Sequence, residues 1–140
     1  MKEFVVDASV AIKWFVPEGH WAEASRLIDP DITLHAPDLF VAEMGNILWK
    51  KLRRREIDRQ QAAAIVAAIG DSNVQLWPSS DLLPVAFDLA AALNHPVYDC
   101  LYLAAAIARN AAVVTADARF HAAVIPTRYA RHVRWIEDAL

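Results

Sequence analysis

The chain has 140 residues, of which 56% are hydrophobic, enough to build the core of one domain. Its formal net charge is -3 and its pI is near 5.9, so a nucleic-acid site would depend on local basic patches. Cys100 is the only cysteine, which excludes an internal disulfide and a mainly thiolate zinc site and favours a reducing, cytoplasmic location. The longest uncharged run, residues 60–70, falls short of the roughly 18 residues that span a bilayer, so we expect no membrane association.

Predicted strands and helices alternate along the chain. The strands are expected at 4–6, 33–36, 74–77, 112–115 and 132–135, and the helices at 10–16, 21–28, 37–55, 58–70, 82–93 and 97–109. Ser9 is expected to cap the first helix, Pro37 to lie in the first turn of the third, and Asp58 to open the fourth through a capping box. Strands separated by helices predict an α/β fold with a mostly parallel sheet covered on both sides, in a single domain over residues 1–140.

Four acidic residues stand at positions suited to a site. Asp7 and Asp117 each follow an apolar strand, although such acids are more often turn formers or helix caps. Asp99 falls in the first turn of a helix, where the helix dipole alone explains it. Glu43 shares a helix face with apolar residues that should pack on the sheet, and a buried carboxylate needs a partner or a metal ion.

The combination is more specific than its members. Acids at two strand ends, at one helix start and on a core-facing helix surface can meet at one edge of a parallel sheet. Clustered carboxylates repel one another unless a cation neutralises them, and oxygen ligands suit magnesium or manganese. The pattern therefore predicts a divalent-metal site.

Four short motifs carry a family resemblance: Val6-Asp7-Ala8-Ser9, the stretch 42–48 (AEMGNIL), the stretch 98–104 (YDCLYLA) and the stretch 115–120 (TADARF). In this order and spacing the chain resembles PIN-domain ribonucleases over essentially its whole length, most closely the toxins of VapBC-type toxin-antitoxin pairs. The resemblance implies a PIN-like three-layer α/β/α sandwich and a magnesium- or manganese-dependent endoribonuclease that leaves 5'-phosphate and 3'-hydroxyl ends. It also implies an RNA substrate, a cognate antitoxin protein and a homodimer.

The resemblance assigns roles residue by residue. The acidic quartet that binds metal and carries catalysis would be Asp7, Glu43, Asp99 and Asp117. Ser9 and Thr115 would be hydroxyl neighbours that orient carboxylates or water, and Asn46, one helical turn from Glu43, a further polar neighbour.

Two groups of residues have less specific patterns. Arg53, Arg54 and Arg55, in a basic block at the end of the third helix, could hold an RNA backbone, although such a run is more often a solvated helix end. The five histidines show no metal-ligand spacing and are expected at the surface or beside the site.

Two other protein classes with a similar layout, one enzymatic and one signalling, each require a residue that this chain lacks. A haloacid-dehalogenase-type phosphatase needs a second aspartate where this chain has Ser9, and a phosphoreceiver domain needs a late lysine, whereas no lysine follows Lys51. A non-catalytic PIN-fold binding scaffold and a PIN nuclease with a housekeeping RNA-processing role both stay open at this point.

Overall fold

The sheet is built from five short strands whose buried residues are mainly β-branched or small. The computed structural model describes residues 2–140. The strands are β1 (Lys2–Val6), β2 (Ile32–Pro37), β3 (Val74–Trp77), β4 (Ala112–Thr115) and β5 (Val133–Trp135). The helices are α1 (Ala8–Ala11), α2 (Trp21–Ser25), α3 (Leu39–Arg53), α4 (Arg59–Gly70), α5 (Ser79–Leu93), α6 (Val97–Ala108) and α7 (Ala118–Val124), with short 3-10 turns at Ile12–Trp14, Ala130–His132 and Ile136–Asp138.

The strand order is β3-β2-β1-β4-β5, and all four strand pairs are parallel. The chain builds one half of the sheet outwards from β1 to β3 and then returns to build the other half from β4 to β5. The order therefore reverses between β1 and β4, where Val6 pairs with Val114. This reversal leaves the crevice in which ligands of open parallel sheets bind, beyond the carboxyl ends of the two strands.

Helices cover the sheet in the predicted three-layer α/β/α arrangement. Helix α6 packs on β1, β2 and β4, and α5 packs on α6. Seven consecutive residues of α6, 100–106, are buried, so this helix is the centre of its layer. Helix α3 contacts β2, α1 and α4, while α7 contacts β4 and β5. No helix within residues 2–140 is long and apolar enough to cross a membrane.

The predicted strands and most helices are confirmed, and the differences lie mainly at helix ends. Pro37 is the last residue of β2 and not part of the third helix, which begins at Leu39. Helix α5 begins at Ser79, three residues before its predicted start, because the Asp38 carboxylate accepts hydrogen bonds from the amide and hydroxyl of Ser79 across a tertiary contact. Helix α7 was not predicted. The capping box of Asp58 with Gln61 is confirmed, with both hydrogen bonds present.

Candidate active site

Asp7 stands at the reversal point of the sheet, directly after β1. Its side chain is buried, and one carboxylate oxygen, Oδ2, accepts hydrogen bonds from Ser9 Oγ at 2.9 Å and from Thr115 Oγ1 at 2.8 Å. Burial raises the pKa of Asp7 from 3.8 to about 7, because a carboxylate away from water is costly. The hydroxyl of Thr115 opposes this rise in the pKa, whereas the charges of Asp99 and Glu43 add to it.

The two hydroxyls tie separate loops together at Asp7. Ser9 Oγ accepts from the amide of Ala116 at 3.1 Å, and Thr115 Oγ1 accepts from the amide of Asp117 at 3.0 Å. The expectation that Ser9 caps the first helix is therefore wrong, since its hydroxyl is directed across the crevice to the end of β4. Asp7 itself occupies the N-cap position of α1, without a side-chain cap bond.

Glu43 lies on α3 and reaches the site from the side. It is half-buried next to the buried stripe of Phe40, Met44 and Leu48. Its Oε1 accepts a hydrogen bond of 2.5 Å from the hydroxyl of Tyr102, a fully buried side chain on α6. Burial raises the pKa of Glu43, the Tyr102 bond lowers it, and the charge of Asp99 raises it again.

Asp99 is held by a histidine that the sequence did not single out. Its Oδ2 lies 2.6 Å from Nε2 of His95, which is four residues earlier and packs against the ring of Phe120. Burial raises the pKa of Asp99, the His95 contact lowers it, and the charge of Asp117 raises it. The general expectation for the histidines holds for His95, which lies beside the site. It is wrong for His35 and His132, which are buried elsewhere.

Asp117 completes the set as the N-cap of α7. Its Oδ1 accepts from the amides of Arg119 at 3.0 Å and Phe120 at 3.2 Å. The cap fixes the position of this carboxylate at the crevice and leaves Oδ2 outside the cap. A structural role for Asp117 is thus present alongside any role in chemistry.

The four carboxylates are close enough to act on one another through their charges. Asp99 raises the pKa of both Asp7 and Glu43, and Asp117 raises that of Asp99. Within residues 2–140, however, no three histidine, cysteine or acidic side chains are already arranged as a group that could hold a metal ion. Each acid is bonded instead to a neighbouring donor, so an ion would have to draw the carboxylates together. The donor set consists of carboxylate oxygens, the ligand type that hard divalent cations prefer.

Two residues that sequence reasoning missed are Tyr102 and His95. Tyr102 lies three residues after Asp99 and His95 four before it, so both spacings place them near the acid on or beside α6. That periodicity is the only sequence signal for either contact. Asn46, by contrast, lies on the exposed surface of α3, and its relation to Glu43 stays a prediction.

The basic block is at the far end of α3. Arg53, Arg54 and Arg55 are exposed, and the guanidinium of Arg53 lies 5.5 Å from the centre of the Trp49 ring. Arg55 has a positive φ of 60°, just after the helix end. These residues form an exposed basic corner and stay a predicted RNA contact.

The chain is similar in sequence and in fold to known proteins. The family model described as PIN domain matches residues 4–125. Ribonuclease VapC3 of Pyrobaculum aerophilum is 30% identical over 117 residues, which cover 82% of this chain and 89% of that protein. Ribonuclease VapC1 of Mycobacterium tuberculosis is 32% identical over 125 residues, covering 88% and 92%. The structure of VapBC2 from Rickettsia felis bound to a DNA fragment from their promoter contains a chain with a similar fold. Its TM-score is 0.65 at 16% identity, covering 95% of this chain and 98% of that one.

A parallel sheet whose strand order reverses beside a buried aspartate defines an open α/β protein with a candidate ligand site at that point. The matches above place the protein within one family of that class: the chain belongs to the PIN-domain family, and its relatives are VapC ribonucleases.

Proposed function

We propose that this protein is an endoribonuclease, the toxin of a type II toxin-antitoxin pair, and that it hydrolyses RNA phosphodiester bonds with a bound magnesium or manganese ion. The observation that carries the proposal is the buried Asp7 carboxylate. It accepts hydrogen bonds from Ser9 and Thr115 where the strand order of a PIN-family sheet reverses, and burial and the charges of Asp99 and Glu43 raise its pKa. The ribonuclease names of its relatives support the reaction.

The residues proposed to hold the ion are the predicted quartet: Asp7, Glu43, Asp99 and Asp117. When bound, such an ion supplies charge to hold a phosphate oxygen, lowers the pKa of a bound water and stabilises the leaving 3'-oxygen. The excess negative charge of the quartet gives the site its affinity for a divalent cation. Neutralising that charge removes part of the cost of burying Asp7.

The side chains that donate hydrogen bonds to three of the four acids are proposed to orient them. Ser9 and Thr115 fix the direction of the Asp7 carboxylate, Tyr102 does so for Glu43, and His95 for Asp99. Ligands held in advance lose less freedom when an ion and a substrate bind, which favours reaction. We assign these residues a positioning role.

The test is cleavage of RNA by single variants. Asp7→Asn and Asp99→Asn should each remove divalent-dependent cleavage while circular dichroism shows that the fold survives. Asp31→Asn, which changes an exposed acid on the loop before β2, should cleave like the parent protein. Retained cleavage in both site variants would contradict the assignment.

A non-catalytic binding scaffold is the second candidate. The observation in its favour is that the acids are bonded to protein donors and not already arranged as a ligand group. An RNA cleavage assay with and without EDTA separates the two functions, because a scaffold yields no EDTA-sensitive products. A housekeeping PIN nuclease would also cleave, but its gene would have no short overlapping reading frame upstream that encodes an antitoxin.

For the antitoxin, we propose a groove on the side of the sheet near α2 and α4. The groove has a volume of about 500 Å³ and a largely apolar lining. Its lining includes Trp14, Phe15, Leu27, Ile28, Ile32, Leu34 and Val74. By analogy with the family, the first two helices, with Val16, Trp21 and Leu27, are candidates for an antitoxin groove or a dimer surface. Of these three residues, Leu27 lines the groove, whereas Val16 and Trp21 do not. Co-purification with a DNA-binding peptide from the neighbouring gene would support an antitoxin partner.

We further propose a homodimer, a single domain over residues 1–140 and a cytoplasmic location.

We also propose that Arg53, Arg54 and Arg55 contact RNA. Replacing the three arginines with alanine should weaken RNA binding and flatten its salt dependence. Each phosphate contact to a single strand contributes about 0.7 to the slope of log affinity against log salt concentration. An unchanged slope would show that the block is only a solvated helix end.

A further inference from the structure

A carboxylate outside the candidate site is held between two lysines. Glu18, on the loop before α2, receives Lys13 Nζ at 3.0 Å on Oε1 and Lys51 Nζ at 2.6 Å on Oε2. The lysine side chains are 10% and 13% exposed, so both are largely removed from water. Lys51 also lies 3.7 Å from Glu56.

The two lysines lie on the same elements that carry two of the proposed ligands. Lys13 is six residues after Asp7, on the 3-10 turn that continues α1, and Lys51 is eight residues after Glu43 on α3. Helices α1 and α3 contact each other. At about 1.5 Å of rise per residue, the lysines are roughly 9–12 Å along these elements from the acids. A stacked single strand covers that distance in about three nucleotides.

The contacts of Lys13 and Lys51 with Glu18 differ from a surface ion pair, because both lysine side chains are largely buried. Each lysine contacts a different oxygen of the same anion, and the two non-bridging oxygens of a phosphodiester present the same pair of acceptors. The cations stand on regular elements, whereas Glu18 stands on an exposed loop that ends with His20 at a positive φ of 67°. Without Glu18, two lysines and Glu56 leave a net positive charge at this point.

Building on the nuclease function proposed above, we propose that Lys13 and Lys51 form a phosphate-binding subsite for RNA, which the Glu18 carboxylate occupies until the RNA backbone displaces it. The ligand is the sugar-phosphate backbone and not a base, since neither lysine can read a base edge from a largely buried position. Glu18 and Glu56 together balance the charges of the two lysines in the free protein. Glu18 also lowers the affinity of the subsite for RNA, because RNA must break the existing ion pairs in order to bind here.

The test measures RNA binding without cleavage. Fluorescence anisotropy of a labelled random-sequence RNA is recorded in EDTA at several salt concentrations, with the full-length chain. Glu18→Gln removes the competing charge and should bind about three- to tenfold more tightly, equivalent to roughly 0.7–1.4 kcal/mol. The double variant Glu18→Gln with Lys51→Gln keeps the pair neutral, and it should lose this gain and lower the salt slope by about 0.7 relative to Glu18→Gln.

Two controls make the result specific. Adding Lys51→Arg to Glu18→Gln in place of Lys51→Gln keeps the cation and should restore tight binding. Lys2→Gln removes an exposed lysine at the opposite, amino-terminal edge of the sheet and should change neither affinity nor slope beyond the general effect of one charge. Unfolding midpoints of all variants identify any loss that reflects a damaged fold.

The subsite is overturned if Glu18→Gln binds no more tightly than the parent protein and the double variant keeps its salt slope. The ion pairs would then only fasten the loop. This failure is distinct from failure of the proposed nuclease, which is decided by cleavage in Asp99→Asn. Loss of cleavage there with unchanged binding in the lysine variants removes the subsite alone.

Discussion

Asp7→Asn should make the metal-free protein more stable, although it removes a residue proposed to be essential. The Asp7 carboxylate is buried, and its pKa rises from 3.8 to about 7 on folding. A raised pKa means that the folded state binds a proton more tightly than the unfolded state does. Stability is therefore greatest below pH 4, declines as the pH rises from about 4 to 7, and stays low above that range.

The expected gain in stability follows from the change in the pKa of Asp7 on folding. About three pKa units at 1.36 kcal/mol each give roughly 4 kcal/mol at pH 8 as an upper value. Asparagine is neutral and of the same shape, and its carbonyl oxygen can accept the bonds from Ser9 and Thr115. We expect Asp7→Asn to be about 2–4 kcal/mol more stable than the parent at pH 8. For a chain of this length that is roughly 7–14 °C in melting temperature.

Urea unfolding in EDTA at pH 5 and pH 8 measures this difference. At pH 5 most of the penalty is absent, so the advantage of Asp7→Asn should shrink to about 1–2 kcal/mol. Asp31→Asn, at the surface, serves as the matched control and should show the same small change at both pH values. An advantage of Asp7→Asn that is zero at pH 8, or equal at the two pH values, would refute the reasoning.

Two further substitutions test a hydrogen bond to Asp7 and the cap of a helix away from the site. Thr115→Val removes the hydroxyl that donates to Asp7 and accepts from the Asp117 amide, and it should cost about 1–3 kcal/mol at pH 8. Urea unfolding should show a smaller loss at pH 5, where Asp7 is protonated, and equal losses would contradict this. Asp58→Ala removes the capping box of α4 and should cost about 1 kcal/mol in the same assay. Its RNA cleavage should be unchanged, and a lost activity would contradict the placement of the site.

Local sequence patterns were sufficient to predict the positions of the strands and of the acids that follow them. Strands such as Val74–Trp77 and Ala112–Thr115 have the predicted bounds, because short apolar runs between turn residues leave little freedom in placing them. Asp7 and Asp117 then reach the same edge of the sheet because β1 and β4 are parallel neighbours. Strand adjacency itself was not evident from local patterns.

Contacts between distant elements account for what sequence reasoning missed. Tyr102 reaches Glu43 across 59 positions, and Asp38 sets the start of α5 from 41 positions away. Serine is a common helix-cap residue, yet the Ser9 hydroxyl donates to Asp7 and accepts from the amide of Ala116, 107 positions away. In each case a tertiary partner competes with the local hydrogen bond that the sequence suggests.

The bond from Thr115 to Asp7 joins residues 108 positions apart. During synthesis the first carboxylate is made early, but the strand that carries its hydroxyl partner leaves the ribosome only after more than three quarters of the chain. Closing so long a loop is slow compared with forming the local helices. A nascent chain that ends before β4 lacks both Thr115 and Asp117, so it cannot assemble the proposed centre, and the hydrolytic activity would appear only with the finished sheet.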